Sequence, residues 1–248
     1  MDRKIINGIL FGRRNEISRQ KWLLNTLLKI APGKRILDAG AGELKNKNYC
    51  LHLEYISQDF CQYNGVGDGR GLQSKNWDTR QIDIVCDIKD IPEPDKSFDA
   101  ILCSEVLEHL PDPVLAIEEF SRLLKPDGLL IITAPFCSLT HFSPFHYSSG
   151  FSRYWFEWHL NRLNFQIIDI ESNGNWFEFI AQELWRLPRI GRKYSSKWLG
   201  LMAFIFSVPL IVILARLGGK SDRGSEELLC FGWQILARKS ILPEISQR

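Results

Sequence analysis

The chain has no C-x-x-C pair, no internal repeat and no block of like charge. Its six cysteines (Cys50, Cys61, Cys86, Cys103, Cys137 and Cys230) lie far apart, several inside apolar runs. They read as reduced core residues rather than a disulfide frame or a zinc site. A net charge of +2, with basic residues scattered over most of the chain, gives nucleic acid no footing as a partner. The start, "MDRKIINGILFGRRNE", is charged, but its apolar run is short, is broken by Asn7, Gly8 and Gly12, and has no small-residue cleavage site. A cytoplasmic protein is therefore expected. With 248 residues, 45% hydrophobic and 24% charged, the composition suits one sizeable domain with appendages.

Apolar residues recur at helical spacing from Asn15 to Ile30, and Pro32-Gly33 ends that run. Strand-like and helix-like segments then alternate. Short β-rich runs occupy 35–40, 55–60, 82–88, 98–106 and 128–136, and residues 112–126 form a helix with apolar Val114, Ile117, Phe120 and Leu124. Nearly continuous apolar strands joined by crossovers are what a parallel sheet buried on both faces requires. The expected class is α/β, doubly wound. A helix over 151–164, a strand over 165–172 and a last strand over 231–239 follow. Residues 61–81, with four glycines, read as a long irregular loop in place of a crossover helix. The expected division is an N-terminal helical segment (1–31), a core (32–175), a helical insertion (176–227), and the last strand with a tail (228–248).

In such a sheet the ligand crevice lies at the carboxyl ends of the strands. The first run ends "LDAGAGE", where Gly40 and Gly42 permit a tight turn and close approach of a ligand. A dinucleotide fingerprint needs a third glycine at position 45, where Lys45 stands. In its place is D-x-G-x-G with Asp38, followed by Asp59 closing the second run and Asp87 closing the third. Asp59 is placed to accept from both hydroxyls of a ribose, and Asp87 from an adenine amino group. The ligand so described has a ribose and an adenine and needs no phosphate cradle.

In "ILDAGAGE", "YISQDF", "VCDIKDIPEPDKSFDAILCSEVLEHLPDP" and "LLKPDGLLIITAPF", taken in order, the chain resembles the class I S-adenosylmethionine-dependent methyltransferases from about Pro32 to Lys239. The resemblance implies a Rossmann-like sheet of seven strands with the last antiparallel. It implies that Asp38, Gly40 and Gly42 line the methionine end of the cofactor, that Asp59 holds the ribose, and that Asp87 with the backbone at Ile88 holds the adenine. Ser104 is counted with these residues. The segments "TAPFCSLTHFSPFHYSSGFSRYWFEWHL" and "NFQIIDIESNGNWFEF" look like a bacterial branch found among enzymes of surface-glycan biosynthesis.

Methyl transfer chiefly needs an acceptor lone pair held in line with the S–CH3 bond, and a hydroxyl acceptor also benefits from a general base. His141 and His146, just beyond the fifth run, stand on the acceptor side; either is a candidate base oriented by Tyr147 or Glu105, or both pack in an aromatic lid with Phe142, Phe145, Phe151, Tyr154 and Trp155. Glu105 either borders the donor methyl or caps the next helix. His109 in "LEHL" reads as structural. No metal is expected, because no carboxylate or thiolate shows ligand spacing to the two histidines.

One run, Trp198 to Leu217, is long and apolar enough for a bilayer. A single crossing would strand the last strand on the wrong side, and basic residues flank it on both sides: Arg186, Arg189, Arg192, Lys193 and Lys197 before, Arg216, Lys220 and Arg223 after. The run either lies against or dips into the inner leaflet, or forms an apolar cap on the domain or on a second copy. The expectation is an O-methyltransferase for a sugar-containing or lipid-linked acceptor near the inner membrane face. The alternatives are a soluble small molecule or quinone-like lipid as acceptor, and a non-catalytic cofactor-binding scaffold.

Overall fold

The structure, a computed structural model, describes residues 11–219 and 221–240; the expectations for residues 1–10, Lys220 and 241–248 lie outside it. The chain divides into two compact units, one holding residues 22–171 and 232–240, the other 11–21 and 172–231.

The first unit is built on a seven-stranded sheet in the order β3-β2-β1-β4-β5-β7-β6. Its strands are β1 (Arg35–Ala39), β2 (Glu54–Asp59), β3 (Ile84–Val85), β4 (Phe98–Ser104), β5 (Leu124–Pro135), β6 (Phe165–Asn173) and β7 (Gly232–Lys239). The pairs β3-β2, β2-β1, β1-β4 and β4-β5 are parallel, and β7 runs antiparallel to β5, as expected. The sheet buries both faces because its central strands are apolar in both parities: Ile36 and Leu37, Ile101 and Leu102, and Ile131 and Ile132 are all fully buried. From helix α1 (Asn15–Leu27), Leu23 and Leu27 pack with Ile36, Cys50, Ala100, Leu102 and Ile131 on one face. Helix α2 (Pro113–Leu123) starts where Asp112 accepts from the Val114 N–H at 3.2 Å and Pro113 supplies a preset φ. It ends at Leu124, which already belongs to β5. Helix α3 (Arg153–Arg162) precedes β6.

The expected third strand, 82–88, shrinks to Ile84–Val85. Side chains take over its pairing: Asp83 accepts from the N–H and hydroxyl of Ser57 at 2.9 and 2.6 Å, and Gln58 Nε2 donates to the Cys86 carbonyl at 2.8 Å. Asp87 therefore sits in a turn beyond a strand rather than closing one. Residues 60–83 are irregular, as read from the glycines, and join the post-β5 loop through a bridge between Leu72 and His141.

The second unit is a helical hairpin of α4 (Trp176–Tyr194) and α5 (Lys197–Leu217). Asn175 caps α4 by accepting from Glu178 N–H at 3.0 Å, and it donates from Nδ2 to the Gly218 carbonyl at 2.9 Å, fixing the start of α4 beside the end of α5. At the other end, a Cβ on Gly191 would come within 2.7 Å of Gly200 Cα, so the two backbones touch near the turn. Phe11, Ala181, Ile211 and Leu214 form the buried centre, edged by Trp176, Phe177, Ile180, Leu184 and Trp185. All six cysteines are free.

Candidate active site

The carboxyl ends of β1, β2 and β4 converge, because parallel neighbours end in register: Asp38 lies beside Ser57, Ala39 beside Gln58, and Asp38 beside Leu102. The chain leaves β1 through Gly40 (φ 73°) and Gly42 (φ 52°), a conformation that L side chains adopt only at a cost. Gln58 secures the turn: Gly40 and Ala41 N–H donate to its carbonyl at 2.8 and 2.9 Å, and Gly40 N–H reaches its Oε1 at 3.2 Å. Asp59 Oδ2 accepts from Gly42 N–H at 3.0 Å and Oδ1 from Cys61 N–H at 2.8 Å. Each carboxylate oxygen keeps a further lone pair, which is what a diol donor needs.

Asp38 is placed differently. Its side chain is 1% exposed and its Oδ2 accepts from the Tyr55 hydroxyl at 2.7 Å. Burial pushes its carboxyl up to about 6, against the opposing effect of hydrogen bonds from Tyr55 and Asn46. Asp38 thus braces the turn from beneath. Asp87 is exposed and paired with Lys89 at 3.3 Å, while Ile88 is buried.

At the end of β4, Ser104 Oγ and Thr133 Oγ1 are 2.8 Å apart, and Thr133 Oγ1 donates to Glu105 Oε1 at 3.1 Å. Glu105 itself has φ 57°, a strained position for a non-glycine residue at the mouth of a crevice. Glu105 is therefore tied to β5, and the carboxylate beside the histidines is Glu108: its Oε1 lies 3.7 Å from His109 Nε2 and 3.8 Å from His141 Nε2. Tyr147, the other expected orienting group, is 54% exposed.

His141 and His146 do come together, with ring centroids 4.8 Å apart, and His109 joins them at 4.6 Å from His141. Phe142 stacks on His109 at 5.3 Å and meets Tyr63 and Trp77. Phe151 and Trp155 form a separate group with Phe156, and Tyr154 is exposed, so the expected single lid is two clusters. Trp77 was not anticipated from sequence. Its ring lies over Gly42 so closely that a Cβ there would sit 2.6 Å from Cζ2, making the long loop a cover for the glycine turn.

Against known proteins, the sequence from 37 to 132, which holds β1, β2, β4, α2 and most of β5, matches the family described as "Methyltransferase domain". That match covers 96 of the 248 residues, less than half of the chain. The chain is 36% identical over 104 residues to a ubiquinone biosynthesis O-methyltransferase of Xanthomonas oryzae pv. oryzae, covering 41% of this chain and 43% of that protein. It is 28% identical over 134 residues to cycloartenol-C-24-methyltransferase 1 of Oryza sativa subsp. japonica, covering 53% of this chain and 39% of the relative. The chain thus spans less than half the length of these curated relatives. In fold it is similar to a SAM-dependent methyltransferase from Archaeoglobus fulgidus, with a TM-score of 0.54 and 18% identity over 96% of this chain and all of that one. The 4+2 cyclase SpnF shares the fold too, with a TM-score of 0.52 and 19% identity over 89% and 82%.

S-adenosylmethionine is the cofactor expected for a domain of this kind, and the residues fit it. Acceptor oxygens of Asp59 and Glu105 and a glycine turn suit a ligand with hydroxyls, an amino group and a sulfonium, whereas a phosphate would call for a cationic cradle.

Proposed function

We propose that the chain transfers the methyl group of S-adenosylmethionine to an oxygen of a small aromatic, quinone-like acceptor carried in a membrane surface. The observation that carries the donor half is Asp59, held by two backbone N–H groups at the end of β2 beside the glycine turn, with Asp87 and buried Ile88 on the next turn for the adenine. When bound, the cofactor supplies an already activated methyl. The protein's part is to hold the acceptor in line and exclude water, an effect worth roughly 7–11 kcal/mol. The rings of Trp77, Tyr63, Phe142 and Phe145 supply flat apolar surface for this. The names of the relatives favour a quinone-like acceptor over the sugar-containing one expected from sequence.

Helix α5 supports the membrane half. An 18-residue stretch within it has a mean hydropathy of 2.5, and only 22% of that stretch is buried. Trp198, Leu199, Met202, Ile205, Phe206 and Ile213 are exposed, an apolar face of the kind that marks a membrane or protein contact. The hairpin sets how it enters. Tip-first insertion would carry Arg186, Arg189, Arg192, Lys193 and Lys197 into hydrocarbon, at about 2.5–3.5 kcal/mol for each charge at the centre. The hairpin therefore lies flat: α5 sinks into the interface of the cytoplasmic leaflet, and Lys197 and Arg216 at its ends reach the phosphates.

The test is incubation with methyl-labelled S-adenosylmethionine and three acceptors: a long-chain alkyl phenol in anionic vesicles, a short water-soluble phenol and a nucleotide sugar. Label in the vesicle phenol supports the proposal. Label confined to either soluble acceptor overturns the membrane half, and no label with any acceptor, despite donor binding, favours a cofactor-binding scaffold.

A further inference from the structure

The turn after β4 and the loop after β5 bring three imidazoles to one point, with a buried carboxylate beside two of them. The nitrogens that His109, His141 and His146 can offer all lie within 4.8 Å of one another. Two of the rings are held in one tautomer. His109 Nδ1 lies 2.5 Å from the Phe145 carbonyl and His141 Nδ1 lies 2.9 Å from the Leu139 carbonyl. Each Nδ1 must be the donor there, which leaves the lone pair on Nε2. Both Nε2 atoms face Glu108 Oε1, at 3.7 and 3.8 Å, and the Glu108 side chain is 1% exposed. His109 Nε2 and both nitrogens of His146 are buried without a hydrogen-bond partner among the described residues.

We propose that His109, His141 and His146 bind one divalent transition-metal ion of the zinc type, with Glu108 as the fourth ligand. Three imidazole nitrogens and one carboxylate oxygen are a donor set for zinc, and four protein ligands make a closed, structural site. The backbone carbonyls of Phe145 and Leu139 do what outer partners do at such centres: they fix each ring's tautomer and its direction. Zinc–nitrogen bonds of about 2.0–2.1 Å in a tetrahedron put ligand nitrogens about 3.4 Å apart, so the rings draw in when the ion enters. The carboxylate that sequence spacing did not reveal is supplied by the turn after β4. The ion would pin the post-β5 loop to that turn, which already accepts Tyr147 and Ser148 N–H at the Glu108 carbonyl. With their lone pairs on metal, His141 and His146 are not general bases.

The test uses the full chain, stripped with chelator and titrated with Co2+, whose visible d–d bands report tetrahedral geometry, then with Zn2+. One Co2+ per chain with an intense tetrahedral spectrum, displaced by Zn2+, is the expected result. His141→Ala and His146→Ala should each abolish the spectrum while circular dichroism stays native, and His159→Ala, outside the cluster, should retain it. Zn2+ should raise the Tm of wild type and of His159→Ala only. Absence of a tetrahedral spectrum in the wild type overturns the proposal. So does its survival in the double variant His141→Ala/His146→Ala.

Discussion

The Tyr55 hydroxyl donates to Asp38 Oδ2 at 2.7 Å beneath the glycine turn, in a place where the carboxylate is shielded from water. The folded pKa of Asp38, about 6, stands above its unfolded value. Its contribution to stability is full below the unfolded pKa of about 3.9 and is lost as pH rises through the folded one, at roughly 1.4 kcal/mol per pH unit between them. Asp38→Asn keeps an acceptor for Tyr55 and removes this dependence. Wild-type stability measured against that variant should fall by about 2 kcal/mol from pH 4 to pH 7. A flat difference in urea melts would mean that Asp38 is not desolvated.

Gly40 has φ 73°, and a Cβ there would lie 2.5 Å from Val106 Cγ2. Gly40→Ala pays about 1–2 kcal/mol for the left-handed backbone before any clash. A lowered Tm and weakened donor binding are the expected pair. Wild-type Tm in the variant would contradict the turn geometry.

Exposed apolar α5 with cations at both ends predicts sedimentation of the chain with anionic vesicles, reduced by salt because the cationic part is screened. Phe206→Asp, at a residue 75% exposed, should reduce vesicle binding severalfold and leave Tm unchanged. Equal sedimentation of wild type and variant would assign α5 to a protein contact.

His141→Ala and His146→Ala should leave S-adenosylmethionine affinity unchanged, because these side chains belong to the post-β5 loop and Glu108 cluster rather than the Asp59 and Gly42 pair. Turnover should drop in both. Calorimetry and a turnover assay on the same samples separate the two effects, and a loss of affinity equal to the loss of turnover would merge the two sites.

What was legible in the sequence was what depends on local pattern. Apolar runs such as Ile36-Leu37 and Ile131-Ile132 announce buried parallel strands, and D-x-G-x-G places a turn at the end of β1. The third strand is shorter than its apolar pattern predicts, since exposed Val85 lies on the edge strand and side chains of Ser57 and Gln58 replace its ladder bonds. The sequence points to Glu105 because it follows the strand directly, and Glu108 carries no comparable signal. Only the three-residue helical turn Leu107–His109 brings Glu108 back toward the histidines. Trp77 carried no periodic signal, and its place over Gly42 is a tertiary fact.

The account rests most directly on Asp59 as the ribose anchor. Titration calorimetry of the full chain with S-adenosylmethionine, wild type against Asp59→Ala, should give one site per chain and a loss of about 1.5–3 kcal/mol per charge-assisted bond removed, or roughly tenfold to a hundredfold for each. Equal affinity in the two proteins would contradict it.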